Sequence, residues 1–178
     1  MPRLSSIQPD AATGETAEVF AAIKKSVGRV PNSFAMIGTH APAALAAILS
    51  ADKVLSKGSL PRADQETVKL IVSELGGCDY CVAGHTVVGK MAGLSPDTMR
   101  KIRAGEATGD AKRDALVRFV RILIKTSGTV DAAEVSRVRD AGYTERQLIE
   151  VALAVAVITF TNLANRINDT VIDFPAVE

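Results

Sequence analysis

The chain has 178 residues, with 21 Lys and Arg against 20 Asp and Glu and a formal net charge of +1. That balance gives no net field to draw in phosphate backbones or anionic lipid, and 4% aromatic residues without Trp leave few rings on which bases could stack. Nucleic acid and membranes are therefore not expected partners, and a single domain over residues 1–178, with its core at about 35–172, is expected at this length.

Met1 to Asp10 contains no apolar stretch of signal-peptide length. The most apolar run, Val151 to Ile158, is closed by Glu150 and Thr159, far short of the about 20 residues that cross a bilayer. It reads as a buried helix, and the protein as cytoplasmic. In a reducing compartment, two cysteines are more often redox-active or metal-binding than a structural framework.

Glycine punctuates the chain, because helices commonly end where the next residue turns left-handed. The spacing predicts helices at 14–27, 42–57, 62–75, 78–92, 96–104, 111–127, 132–141 and 144–168, with Gly28, Gly58, Gly76, Gly93, Gly105, Gly128 and Gly142 as stops. Ser95-Pro96 and the Thr144/Gln147 pair mark two of the starts. No strand pattern competes, so the fold class is all-α, a bundle of about eight helices. In the 62–75 segment Val68, Ile71, Val72 and Leu75 form an apolar stripe, and the opposite face carries charge. The 111–127 segment and Val151 to Ile158 are apolar nearly all round, as central or subunit-interface helices are. His40, just before Ala41-Pro42, reads as a helix start with no chemical role. The tail from Val171 to Glu178 reads as an extended or frayed end.

The chemistry concentrates in Glu74-Leu75-Gly76-Gly77-Cys78-Asp79-Tyr80-Cys81-Val82-Ala83-Gly84-His85. A helix stop immediately precedes C-x-x-C, which puts both cysteines in the first turn of the next helix. Unpaired N–H groups there favour thiolate over thiol. Residues three apart on a helix are near enough for a reversible disulfide. His85 lies one turn beyond Cys81 and can take its proton directly or through one water. Its orienting carboxylate is Glu74, four before Cys78, or Glu66, twelve before it. Glu66 lies opposite the apolar stripe, which also suits an ordinary solvated charge. Cys78, Cys81 and His85 could alternatively serve as three zinc ligands, but no further Cys or His pair supplies a fourth. No metal is expected, and no cofactor beyond the cysteine pair.

At these residues the sequence resembles the alkylhydroperoxidase D-like family of the carboxymuconolactone decarboxylase superfamily, in its peroxidase-related subgroup. The match is E-x-x-x-C-x-x-C-x-x-x-H at Glu74, Cys78, Cys81 and His85, with the upstream Arg62 to Glu66 helix and the later run Asn162 to Asp169. The resemblance implies an all-helical trimer or hexamer that reduces hydroperoxides through Cys78 and Cys81. It also implies recycling by a thiol or dihydrolipoyl partner protein, His85 as proton acceptor, and, from the spacing of twelve, Glu66 as the relay carboxylate. One departure is Tyr80, where the better-studied enzymes carry a His, so weaker peroxidase activity is expected. Superfamily decarboxylases lack the cysteine pair, which disfavours lactone decarboxylation.

The expected activity is thus thiol-dependent hydroperoxide reduction, with Cys81 attacking because His85 is near and Cys78 resolving. The helix-start position of Cys78 argues for the reverse roles. The alternatives are a thiol–disulfide oxidoreductase with little peroxidase activity and a non-catalytic helical oligomeric module with inert cysteines.

Overall fold

The stop and start signals of the sequence reappear as helix ends in the computed structural model, which describes residues 1–177. Glu178, the last residue of the expected tail and domain, lies outside the described residues. A short 3-10 turn at Pro9–Ala11 precedes α1 (Gly14–Val27), α2 (Asn32–His40), α3 (Pro42–Ser56), α4 (Arg62–Leu75), α5 (Asp79–Met91), α6 (Pro96–Ala104), α7 (Ala111–Lys125), α8 (Ala132–Asp140) and α9 (Glu145–Asn168). There are nine α-helices and no strand among the described residues. The all-α expectation holds. Ser95 caps α6 by accepting from the Thr98 N–H, and Thr144 with Gln147 forms the reciprocal capping box of α9.

The additional helix is α2, which Pro31 introduces and which buries Ala35, Met36 and Ile37 against Phe20 and Ile23 of α1 and Leu45 of α3. His40 is the last residue of α2, not the first of a helix, and its Nε2 meets the Ser5 carbonyl at 2.8 Å.

The centre of the bundle is α4, which packs against α5, α6, α7 and α9. Val68, Leu70, Ile71 and Val72 lie in the main core as the stripe predicts, but the charged face is buried too. Buried polar groups persist only when paired, and here they are. Gln65 donates to the Leu55 and Leu60 carbonyls, Asp64 accepts from the Tyr143 hydroxyl, and Lys69 donates to Asp52 at 2.6 Å. The period alone cannot tell a face covered by water from one covered by partners.

The apolar helices are more peripheral than their composition suggests. α7 buries Leu116, Val117, Phe119 and Val120, and α9 buries a stripe that includes Val151, Ala154, Val157 and Ile158. α9, with 24 residues, is long and apolar enough to cross a membrane by length and composition alone, and a third of its most apolar stretch is buried. Its buried side packs on α4 and ends in Asn162, Asn165 and Asn168, the chemistry of a protein core.

Candidate active site

The break between α4 and α5 sets the cysteines in place. Gly77 has φ +62, which a Cβ-bearing residue rarely adopts, and a Cβ on Gly76 would lie 2.9 Å from the Val72 carbonyl oxygen. The Cys78 N–H then bonds the Ser73 carbonyl at 3.0 Å, folding the chain back so that α5 starts beside α4. Cys78 is the N-cap of α5, and its Sγ accepts from the Cys81 N–H at 3.3 Å. Cys81 follows one turn in, and the two are joined by a disulfide with Cα atoms 5.3 Å apart. Both cysteines are buried.

On the next turn of α5, the half-buried His85 places Nδ1 2.7 Å from Glu66 Oε2. A carboxylate on Nδ1 fixes the proton there and leaves Nε2 as the acceptor nitrogen. Glu66 is 3% exposed, so the solvated reading of it fails. Its Oε1 lies 3.4 Å from Lys69 Nζ, and Lys69 in turn reaches Asp52. Burial alone would push the Glu66 carboxyl up, but the neighbouring His85 and Lys69 outweigh it and hold the group below its ordinary range. Burial would likewise push Lys69 down, and Glu66 and Asp52 hold it above the usual range instead.

Glu74, the other carboxylate candidate, is turned away to Arg103, whose Nε donates at 2.7 Å. The structure thus brings Cys78, Cys81, His85 and Glu66 into one region between α4 and α5 and leaves Glu74 on a separate ion pair. Among the described residues no group of three or more His, Cys, Asp or Glu is placed to hold a metal ion.

Tyr80 points to the tail. Its hydroxyl donates to Asp173 Oδ1 at 2.7 Å and accepts from the Ser33 N–H at 3.1 Å, and its ring meets Phe174 edge-on at 5.4 Å. Arg29 pairs with Asp173 and stacks over the Phe174 ring. Burial pushes the Tyr80 phenol up, and Asp173 adds to the rise against the Ser33 N–H. Tyr80 therefore keeps its proton and serves as a fixed donor. This part of the tail packs against the site's outer edge.

Two residues escaped the sequence reading. Lys69 shares the polar face of α4 with Glu66, three residues on, a signal available in the sequence. Asn165 on α9 donates Nδ2–H to Cys81 Sγ at 3.3 Å, and nothing in its type or spacing announces that.

An all-helical bundle with a C-x-x-C pair at a helix start and a His–Glu pair beside it is an arrangement suited to thiol-redox chemistry. Residues 39–121 match the carboxymuconolactone decarboxylase family, and the chain has the alkylhydroperoxidase D-like fold. An alkyl hydroperoxide reductase of Mycobacterium tuberculosis is 32% identical over 104 residues, 58% of this chain and 30% of that relative, so the match spans less than a third of the relative's length. The AhpD core of an uncharacterized peroxidase-related protein from Ralstonia eutropha superposes with a TM-score of 0.85 at 19% identity, covering 97% of this chain and 92% of that one. The debrominase Bmp8 superposes at 0.77 and 18% identity, over 96% and 92% of the two chains. An Agrobacterium tumefaciens protein described as a putative antioxidant defence protein AhpD superposes at 0.70 and 17%, over 77% and 95%. At these identities the structures establish the shared fold.

Proposed function

We propose that the protein is a thiol-dependent hydroperoxide reductase whose redox centre is Cys78 and Cys81. The observation that carries the reading is the disulfide at the start of α5 with the Glu66-bound His85 one turn further on. In the reduced protein, the Cys81 thiolate attacks the terminal oxygen of R–O–O–H, the O–O bond breaks, and the leaving alkoxide takes a proton by way of His85 to depart as an alcohol. The resulting sulfenic acid is attacked by the Cys78 sulfur, water leaves, and the disulfide forms. A thiol or dihydrolipoyl protein supplies the two electrons that reopen it. Glu66 fixes the imidazole, and Lys69 keeps Glu66 ionised. No cofactor or metal is required.

The relative from Mycobacterium tuberculosis, an alkyl hydroperoxide reductase by name, supports the substrate class. The reading takes residues 1–178 as one domain, working in the cytoplasm as a homo-oligomer, a trimer or a hexamer. The exposed Ile149, Leu163 and Ile167 on α9 are apolar surface that such an assembly would cover.

A second reading, a thiol–disulfide oxidoreductase with little peroxidase activity, is favoured by Tyr80, which puts no group that titrates near neutral pH between the cysteines. Intact mass of the reduced protein after one equivalent of tert-butyl hydroperoxide separates the two. Peroxidase action returns the chain to about 2 mass units below its reduced form. A chain that consumes no peroxide yet turns over a model disulfide establishes the second reading.

A further inference from the structure

Three asparagines lie buried along one side of α9, at 162, 165 and 168. Two of them are fully used in holding the fold. Asn162 donates to the Val72 carbonyl at 3.1 Å and accepts from the Ser73 hydroxyl at 3.3 Å. Asn168 accepts from the Leu4 N–H at 2.8 Å and donates to the Thr170 hydroxyl at 3.0 Å. Asn165 differs. Its amide N–H meets Cys81 Sγ at 3.3 Å, while its carbonyl oxygen is buried with no partner among the described residues.

A disulfide sulfur carries no hydrogen and can only accept, so the amide must turn its NH₂ end to Cys81 and leave the other end unsatisfied. An unsatisfied buried carbonyl is a cost that folding alone would avoid by placing an apolar side chain there. A contact kept at such a cost points to chemistry at the atom it touches. The bond is weak while the sulfur is half of a neutral disulfide. It becomes charge-assisted, and roughly twice as strong, when the same sulfur is a thiolate.

We propose that Asn165 is a positioning residue that selectively stabilises the thiolate form of Cys81, as the α5 N-terminus does for Cys78. Resting on the thiol-redox reading above, the assignment answers the competition between the two sulfurs. Cys78 has the Cys81 backbone N–H and the helix start, and Cys81 has the Asn165 amide with His85 one turn away. The titratable groups around the pair are Asp79, Tyr80 and His85 on α5, Glu66 and Lys69 on α4, and Asp173 in the tail, whereas α9 brings the neutral Asn165. Because Asn165 contacts one sulfur, its removal separates the cysteines where a general loosening of the site would not.

The test compares single-cysteine proteins, with the pH dependence of iodoacetamide alkylation and of thiolate ultraviolet absorbance as readouts. In Cys78→Ser, the further change Asn165→Ala is expected to cut the Cys81 thiolate fraction at neutral pH by roughly 10-fold. In Cys81→Ser, the same change leaves the Cys78 titration where it was. Asn165→Asp, nearly the same shape but bringing a carboxylate to the sulfur, moves Cys81 in the same direction and serves if the alanine variant does not fold. A Cys81 titration unmoved by Asn165→Asp, or equal shifts in both backgrounds, overturns the proposal. No hydroperoxide enters the measurement, so it stands or falls apart from the peroxidase reading.

Discussion

Glu66 meets His85 across the interface of α4 and α5 through a 2.7 Å contact between Oε2 and Nδ1, deep enough that water does not compete for the carboxylate. A base held this way keeps one tautomer and one orientation. General acid–base catalysis by a positioned side chain contributes about 10²- to 10⁴-fold, so His85→Ala should lower kcat/KM for tert-butyl hydroperoxide by at least about 10²-fold. Glu66→Gln keeps the shape and loses the charge, and a fall of about 10-fold or more is expected. Wild-type turnover in both variants would remove the pair from the mechanism.

The ionic chain does not end at Glu66. Lys69 is buried between Glu66 and the more exposed Asp52, and Lys69→Met keeps most of the volume while leaving Glu66 without its cation. Breaking a buried ion pair from one side costs on the order of 3 kcal/mol, readable as a lower urea midpoint at neutral pH. The folded carboxyl of Glu66 lies below its ordinary range. Its stabilising share is therefore present above the unfolded value and lost as pH falls through the folded one. Lys69, raised when folded, contributes below its unfolded value and loses that share as pH rises through the folded one. In Lys69→Met the Glu66 carboxyl is less depressed, so its share of the acid loss of stability should be smaller and complete at a higher pH. An acid limb unchanged from wild type would show that Lys69 does not set the ionisation of Glu66.

Tyr80 ties the middle of C-x-x-C to two distant segments, Ser33 on α2 and Asp173 in the tail. Tyr80→Phe strands a buried N–H and an acceptor, and each buried group left unpaired costs about 1–3 kcal/mol. Hydrogen exchange at the Ser33 amide should quicken, and proteolysis near residues 171–174 should rise, with the far helices unaffected. Exchange at Ser33 as slow as in wild type would mean that the tail stays docked without the hydroxyl.

The sequence made the local part of this site legible and the distant part only in outline. Cys78, Cys81 and His85 sit within one helix and its cap, so spacing alone predicts their neighbourhood. Glu66 is brought to His85 by the packing of α4 on α5, and its own stretch of sequence suits a solvated charge equally well; family resemblance singled it out. Lys69 and Asn165 were missed for related reasons. A lysine on a polar face normally points to water, and an asparagine in a long helix has no periodic signature. The same limit applies to α2, whose end is marked by Ala41-Pro42 and not by a glycine. It also applies to α4, where alternate faces meet protein on both sides.

The division of labour between the sulfurs gives the sharpest test of the reaction. Cys81 has the Asn165 amide and lies nearer along the helix to His85, whereas Cys78 caps the helix and follows the positive φ of Gly77. If Cys81 attacks the peroxide, Cys78→Ser still consumes one equivalent but cannot form the bridge, and the chain gains about 16 mass units as a sulfenic acid, or about 32 as a sulfinic acid once a second equivalent is consumed. Cys81→Ser should consume none at the wild-type rate and stay at its reduced mass. The opposite pattern, with oxidation retained in Cys81→Ser and lost in Cys78→Ser, would assign attack to the helix cap. It would also mean that the N-terminal field of α5 outweighs the combined effect of the imidazole and the amide.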